Sequence, residues 1–268
     1  VGAVSVPLCY TSPSAEIEAI IRASGSRLLL VGAPGLLERL GELAAQVPII
    51  SFCRGSLPGN LPREVMPWDK FLALGAERSV PTTAPVTFSD LAMLRYTSGT
   101  TGQPKGAAFT HGNLRWMGEA TASLFPWKAR NSPVSYLSFL PMSHVVEGIL
   151  ATYSPYYAPT SLDLYFLEDP PELQRVLPRV RPTIFFSMPY VYEEIWKALQ
   201  HRRIGRVYLE AREGFLKQIL RAVLRRQLLR KAGLDRCAQL IVGSAPASEG
   251  LLQAFHALGI EIHNWELA

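Results

Sequence analysis

The run Tyr96-Thr97-Ser98-Gly99-Thr100-Thr101-Gly102-Gln103-Pro104-Lys105-Gly106 decides how this chain is read. It holds three glycines, four Ser/Thr hydroxyls and one lysine in a single short stretch. Glycine tolerates the positive-φ turns that aim successive N–H groups at one point, so such a run can wrap an anion. The hydroxyls add donors and Lys105 adds a point charge, which predicts a polyphosphate ligand. The run is not a Walker A loop, which needs glycine directly before the lysine and Ser/Thr directly after it. Here Pro104 precedes and Gly106 follows, so the hydroxyl that binds magnesium in that motif has no counterpart at position 106. An ordinary solvated turn would account for the glycines and threonines, but not for the Pro-Lys-Gly ending.

The flanks predict where the run sits. Leu91 to Tyr96 is apolar enough for a buried strand entering the loop. Arg115 to Ala120 reads as a helix, with Asn113 placed to cap it. The expected order is strand, glycine-rich loop, short extended piece, helix.

Strands and helices alternate through the rest of the 268 residues. Val1–Leu8 reads as β-like, 14–25 as a helix ending at Gly25, 27–31 as a strand, 36–46 as a helix and 48–52 as a strand. Residues 55–87, rich in proline, glycine and charge, read mainly as connection. A strand over 134–140 ends at Pro141 and is followed by Met142 to Gly148, at the end where open α/β sheets take ligands. Then come a helix over 170–179, a strand over 182–187, a helix over 190–200, a long basic helix over 215–231, a strand over 239–242 and a helix over 249–258. That alternation predicts parallel sheets with helices on their faces.

Composition bounds the rest. With 48% hydrophobic and 18% charged residues, the chain can bury a sizeable core in one large or two small domains. No run of 18 apolar residues predicts a membrane span, and the start lacks the basic region of a secretory signal. It also lacks an initiator methionine, so Val1 is not expected to be a natural start. Cys9, Cys53 and Cys237 are scattered and odd in number, which suits a reducing, cytoplasmic compartment. His144 and Glu147 have a spacing that a metal could use, but no other Cys/His set accompanies them, so no metal ligand is assigned.

The net charge of +5 is uneven: residues 201–236 carry eleven Lys/Arg against three Asp/Glu. Phe215 to Lys231 alternates apolar and basic residues at helical spacing, which predicts an amphipathic helix stopped near Gly233. Two uses are open for it: a solvated face whose basic stems cover the core edge, or contact with an anionic membrane surface that makes the protein peripheral. Nucleic-acid binding is set aside, since no aromatic interleaving accompanies the charge.

Thr97 to Gly106 resembles, at every fixed position, the phosphate-binding signature of the adenylate-forming (AMP-binding) superfamily, Ser/Thr-Ser-Gly-Ser/Thr-Thr-Gly-x-Pro-Lys-Gly. Other segments resemble the same family in the same order. They are Gly2-Ala3-Val4-Ser5-Val6-Pro7-Leu8, Leu140-Pro141-Met142-Ser143-His144-Val145-Val146-Glu147, the segment from Arg181 to Ile195, and Val242-Gly243-Ser244-Ala245-Pro246. The second and third are most similar to the long-chain acyl-CoA synthetases. The resemblance implies a layered α/β/α fold of mostly parallel sheets. It implies that residues 1–268 are part of the large N-terminal domain, with 1–87 and 134–268 as α/β subdomain elements and 91–120 as strand, phosphate loop and helix.

The resemblance also implies roles. Thr97, Ser98, Gly99, Thr100, Thr101, Gly102 and Lys105 would hold the β- and γ-phosphates of ATP, with Thr100 and Lys105 positioning them for catalysis. Gly243, Ser244 and Ala245 would line the adenine, and His144 the acyl pocket. The implied reaction activates a carboxylic acid, of long-chain fatty type, to an acyl-adenylate and then to a thioester of coenzyme A, with Mg²⁺ expected beside ATP. The chain departs from the family near its end: His263-Asn264-Trp265-Glu266 stands where the family has Tyr-Gly-x-Thr-Glu, so no role passes to Trp265 or Glu266. The small C-terminal domain is expected to be absent and the N-terminal domain incomplete, leaving a chain that turns over slowly or not at all. The alternative is a catalytically dead module that binds nucleotide or acyl groups, or docks on membranes.

Overall fold

The structure, a computed structural model, describes residues 2–40, 47–53, 65–76, 85–97, 104–124, 133–212 and 214–265. The chain forms two compact units, Val1–Trp116 with Pro141–His144, and Met117–Leu140 with Val145–Ala268.

In the first unit, helix α1 (Ser14–Ser24) precedes strand β1 (Leu29–Val31), α2 (Pro34–Arg39) precedes β2 (Ile49–Ser51), and β3 (Met66–Pro67) leads into α3 (Trp68–Ala76). The three strands form a parallel sheet in the order β1-β2-β3. Helix α1 stops where sequence predicts, at Gly25, whose φ of 62° turns its N–H back onto Arg22 and Ile21 carbonyls. Ile17, Ile21, Leu37 and Ile49 close a small core. Residues 66–76 correct the expectation that 55–87 is mainly connection, since they form β3 and α3. Residues 2–8 are less regular than predicted. Ser5 alone bridges Met93, donating to Ala92 O (3.0 Å) and accepting from Leu94 N (2.9 Å).

The same unit contains an antiparallel hairpin of β4 (Leu91–Thr97) and β5 (Lys105–Thr110). The short extended piece expected after the glycine-rich loop is thus a full strand partner. Of β4 only Ala92 and Met93 are buried, so the strand is less enclosed than its composition suggests. Helix α4 (His111–Leu124) follows at once. Its N-terminus corrects the assignment of Asn113 as cap. Thr110 Oγ1 accepts from Asn113 N (3.2 Å), while Asn113 Oδ1 accepts from Thr110 N (3.0 Å), a reciprocal capping box that starts the helix at His111.

The second unit is built on a five-stranded, wholly parallel sheet. It comprises β6 (Val134–Ser138), β7 (Leu162–Phe166), β8 (Ile184–Ser187), β9 (Gln239–Gly243) and β10 (His263–Trp265), in the order β10-β9-β8-β6-β7. Every residue of β6 and β8 is buried, as expected of parallel strands covered on both faces. The edge strand β7 exposes Tyr165 and Phe166, and sequence reading missed it. After β6 come α5 (Val145–Glu147), a π-helical stretch over Gly148–Tyr153 and α6 (Ser154–Tyr157).

Helices α7 (Leu173–Val180), α8 (Pro189–Gln200), α9 (Arg203–Glu210), α10 (Phe215–Ala232) and α11 (Glu249–Ala257) contribute to the core of this unit. Rings link the sheet to its helices. Phe139 stacks on Phe185, Phe185 meets Tyr192 edge-on, and Tyr192 meets Phe255, at centroid distances of 5.9, 6.1 and 6.0 Å. Each fully buried ring contributes about 1.5–3 kcal/mol by leaving water.

Helix α10 ends on Gly233, which has φ 73° and donates to Arg230 and Leu229 carbonyls. A Cβ there would stand 2.4 Å from Leu177 O on α7, a backbone atom that has no side-chain freedom to yield. Gly233→Ala therefore meets two costs, the left-handed backbone and the clash. The expected loss is about 2–5 kcal/mol of unfolding free energy in a urea titration. A loss below about 1 kcal/mol would show that α10 does not end as described.

Candidate functional site

The hairpin fixes the two ends of the glycine-rich run. Its register pairs Tyr96 with Gly106 and Thr97 with Lys105, so seven residues, 98–104, join the last paired rung. That connection is too long for a two-residue hairpin turn. Ser98, Gly99, Thr100, Thr101 and Gly102 lie outside the described residues, while Thr97 and Lys105 stand opposite each other at the mouth of the hairpin. Lys105 is exposed. Gly106 has a steric reason to be glycine: a Cβ there would lie 3.0 Å from the Tyr96 ring. The Tyr96 side chain therefore lies close over the strand directly after the lysine.

One residue of β4 ties this hairpin to the turn that carries His144. Arg95 Nη1 donates to Ser143 O at 2.7 Å, and its Nε donates to Met93 Sδ at 3.2 Å. The turn closes on itself through His144 N to Pro141 O, 2.8 Å. His144 is half-buried, and burial, followed by the Arg95 guanidinium, holds its imidazole below the ordinary value of 6.5. The ring is therefore predominantly neutral at pH 7, able to donate from one nitrogen and accept at the other. Sequence reading named His144 but not Arg95, whose role depends on a contact between residues 48 apart.

In the second unit the sheet's carboxyl ends carry the remaining features. Glu147 is fully buried. Its Oε1 accepts from Phe139 N (2.9 Å) and Leu140 N (3.0 Å), and its Oε2 from Tyr136 Oη (2.9 Å). Burial lifts its carboxyl above the ordinary range, against the hydrogen bonds, which favour the ionised form. Both oxygens are thus engaged in fixing the end of β6. Among the described residues no group of three or more His, Cys, Asp or Glu is placed to hold a metal. Ser187, at the end of β8, keeps a fully buried Oγ with no hydrogen-bond partner among the described residues.

At the end of β9, Gly243 pairs with Trp265, and a Cβ there would lie 2.5 Å from Trp265 O. The next residue, Ser244, has φ 67°, uncommon for a side chain of its type and a conformation that gathers at ligand-binding turns. Ser244 and Ala245 are exposed, and Ser248 then caps α11 through Leu251 N. The three residues expected to line an adenine therefore form a strained strand-to-helix turn at the ligand-taking end of a parallel sheet. Trp265 serves as the strand partner of Gly243, and Glu266 lies outside the described residues.

The profile of AMP-binding enzymes matches residues 1–265 of this chain. The chain belongs to the AMP-binding enzyme family. Among curated proteins, this AMP-binding chain is 26% identical over 286 residues to the long-chain-fatty-acid–CoA ligase ACSBG2 of Homo sapiens, covering 94% of this chain and 42% of that one. It is 27% identical over 293 residues to the long-chain-fatty-acid–CoA ligase FadD15 of Mycobacterium tuberculosis, covering 98% and 47%. The chain thus spans less than half the length of either relative.

Among solved structures, the adenylation domain of a carboxylate reductase from Mycobacterium chelonae superposes with TM-score 0.72 at 20% identity, covering 99% of this chain and 43% of that one. The corresponding domain from Segniliparus rugosus, in complex with AMP and a co-purified carboxylic acid, gives 0.71 at 19%, covering 99% and 44%. These likenesses establish the fold, mixed α/β with parallel sheets, as expected of the adenylate-forming N-terminal domain.

Removing the Arg95 charge has a signed consequence. Arg95→Gln is expected to raise the His144 pKa, read by proton NMR of the imidazole. The value stays below 6.5, because burial is the larger cause. No change, or a value above 6.5, would contradict the geometry of the turn.

Proposed function

We propose that this chain carries the phosphate-binding and acyl-binding part of the large N-terminal domain of an ATP-dependent acid–thiol ligase acting on a carboxylic acid, of long-chain fatty type. The observation that carries the reading is the register of the hairpin. Thr97 faces Lys105 across the last rung, and between them runs a stretch rich in amides and hydroxyls. The family match and the relatives named as long-chain-fatty-acid–CoA ligases support it.

In this reading Thr97 to Gly102 donate to the β- and γ-phosphates of ATP, and the Lys105 ammonium neutralises them. The acid's carboxylate attacks the α-phosphorus, pyrophosphate leaves, and the acyl-adenylate passes its acyl group to coenzyme A. Carboxylate and triphosphate repel each other, so the main work of the chain is to position them and screen their charge. A neutral His144 suits an acyl pocket, since it offers hydrogen bonds without placing a net charge beside an apolar chain. Gly243, Ser244 and Ala245 would face the adenine, their turn exposing backbone groups to a flat ring. Mg²⁺ would arrive on the phosphates of ATP; the described residues supply no ligand set for it, and no step rests on it. The basic residues of 201–236 would bring the protein to an anionic membrane surface, where long-chain acids partition.

Lys105→Ala tests the loop directly. Losing one charged hydrogen bond of about 1.5–3 kcal/mol should weaken ATP binding roughly 10- to 100-fold by calorimetry, while AMP, which lacks the β- and γ-phosphates, changes little. Equal affinity of parent and variant for ATP would refute the assignment. Carboxylate-dependent ATP–pyrophosphate exchange, measured on the same samples, separates a catalytic chain from one that only binds.

A further inference from the structure

Helix α10 departs from the single apolar face predicted for it. It buries Leu224 and Leu228 against the core of its own unit. At 100° per residue, those two lie near one side of the helix. Phe215 and Ile219 fall on the opposite side, flanked by Leu216 and Val223; Phe215, Leu216, Ile219 and Val223 are 79%, 69%, 46% and 39% exposed. The helix therefore has a second apolar stripe, open to solvent at Phe215 and Leu216 and partly covered at Ile219 and Val223. A contiguous exposed apolar stripe on an otherwise polar surface marks an interaction site.

The stripe changes character along its length. From Phe215 to Val223 it is apolar for about 12 Å of helix at 1.5 Å per residue. Arg226 and Arg230 then continue it on the same side. The whole helix carries six Lys/Arg and no Asp or Glu. A protein partner would need a groove of matching shape and an acidic rim. A bilayer needs only what is present: a convex apolar end to enter the acyl boundary and a cationic end to rest on phosphates.

We infer that α10 is a membrane-insertion element, with Phe215, Leu216, Ile219 and Val223 entering an anionic bilayer and Arg226 and Arg230 pairing with lipid phosphates. This inference rests on the reading that 201–236 meets an anionic membrane, and it adds the residues that enter and those that stay at the surface. The helix lies tilted, its N-terminal end deeper than its C-terminal end. Such docking would hold an acid-activating chain at the phase in which its apolar substrate is dissolved.

The test is sedimentation of the 268-residue chain with sonicated vesicles of phosphatidylcholine alone, or with 3:7 phosphatidylserine to phosphatidylcholine, roughly the anionic content at which surface potential attracts basic helices. Partitioning is expected to be at least about tenfold stronger on the anionic vesicles. The triple variant Phe215→Ser, Leu216→Ser, Ile219→Ser should lower it at least about tenfold. The double variant Arg226→Glu, Arg230→Glu should abolish the preference for anionic lipid. All substituted positions are exposed, so circular dichroism and melting should match the parent. If the serine variant sediments like the parent, the insertion stripe is wrong while the membrane reading stands. If the parent sediments with neither vesicle, both fall. Neither result bears on nucleotide binding, which Lys105→Ala reads separately.

Discussion

The antiparallel pairing of β4 with β5 is the constraint on which the functional reading depends. It sets Thr97 against Lys105 and so fixes the separation between the first hydroxyl and the ammonium group. A loop anchored at both ends by a strand ladder has less freedom to lose when it closes on a ligand. The β4 anchor is reinforced from outside the ladder. Ser5 adds backbone hydrogen bonds on the far edge of β4, and Arg95 reaches from β4 to the Ser143 carbonyl. The close approach of Tyr96 to Gly106 keeps the rung next to the lysine tight. The chain thus invests local order at the base of the loop rather than leaving the lysine at the tip of a free turn.

The second unit solves a different problem, which is to end parallel strands without leaving buried amides unpaired. After β6 the solution is a carboxylate. Glu147 accepts the amides of Phe139 and Leu140 and the hydroxyl of Tyr136. Burying a charge is costly unless it is hydrogen-bonded, and these donors offset part of that cost, leaving the carboxyl raised above its ordinary range. After β9 the solution is a turn through positive φ at Ser244, permitted because Gly243 lets β10 approach. Both devices sit at the carboxyl ends of strands, where a parallel sheet gathers loops around a ligand. The aromatic chain from Phe139 to Phe255 holds those ends in place from beneath.

Much of this was legible in the sequence, for identifiable reasons. The glycines that end α1 and α10 carry their own signal, since only the left-handed conformation closes those helices well. The strands β6, β8 and β9 are short apolar runs, readable without knowledge of their neighbours. What escaped depends on partners distant in sequence or on mixed composition. Met66–Ala76 forms a strand and helix in a stretch whose prolines and charges suggest connection. Strand β7 lies at a sheet edge, where exposure erases the apolar pattern of a central strand. Strand β5 is built from small residues, and β4 is what makes it a strand. Asn113 was a reasonable cap by type, but Thr110 takes that place and Asn113 answers it from the third helical position. At the site, His144 and the glycine-rich run were visible as motifs. Arg95 acts through a contact with Ser143, 48 residues away, that no spacing reveals, and the burial of Glu147 against the end of β6 shows only in the fold.

The most direct measurement is amide hydrogen exchange, residue by residue, over Thr97 to Gly106 with ATP, with AMP and without ligand. The account predicts that amides of Ser98 to Gly102 exchange markedly more slowly with ATP than without ligand, and that AMP leaves their rates unchanged. Equal exchange with and without ATP would contradict a cradle for the triphosphate.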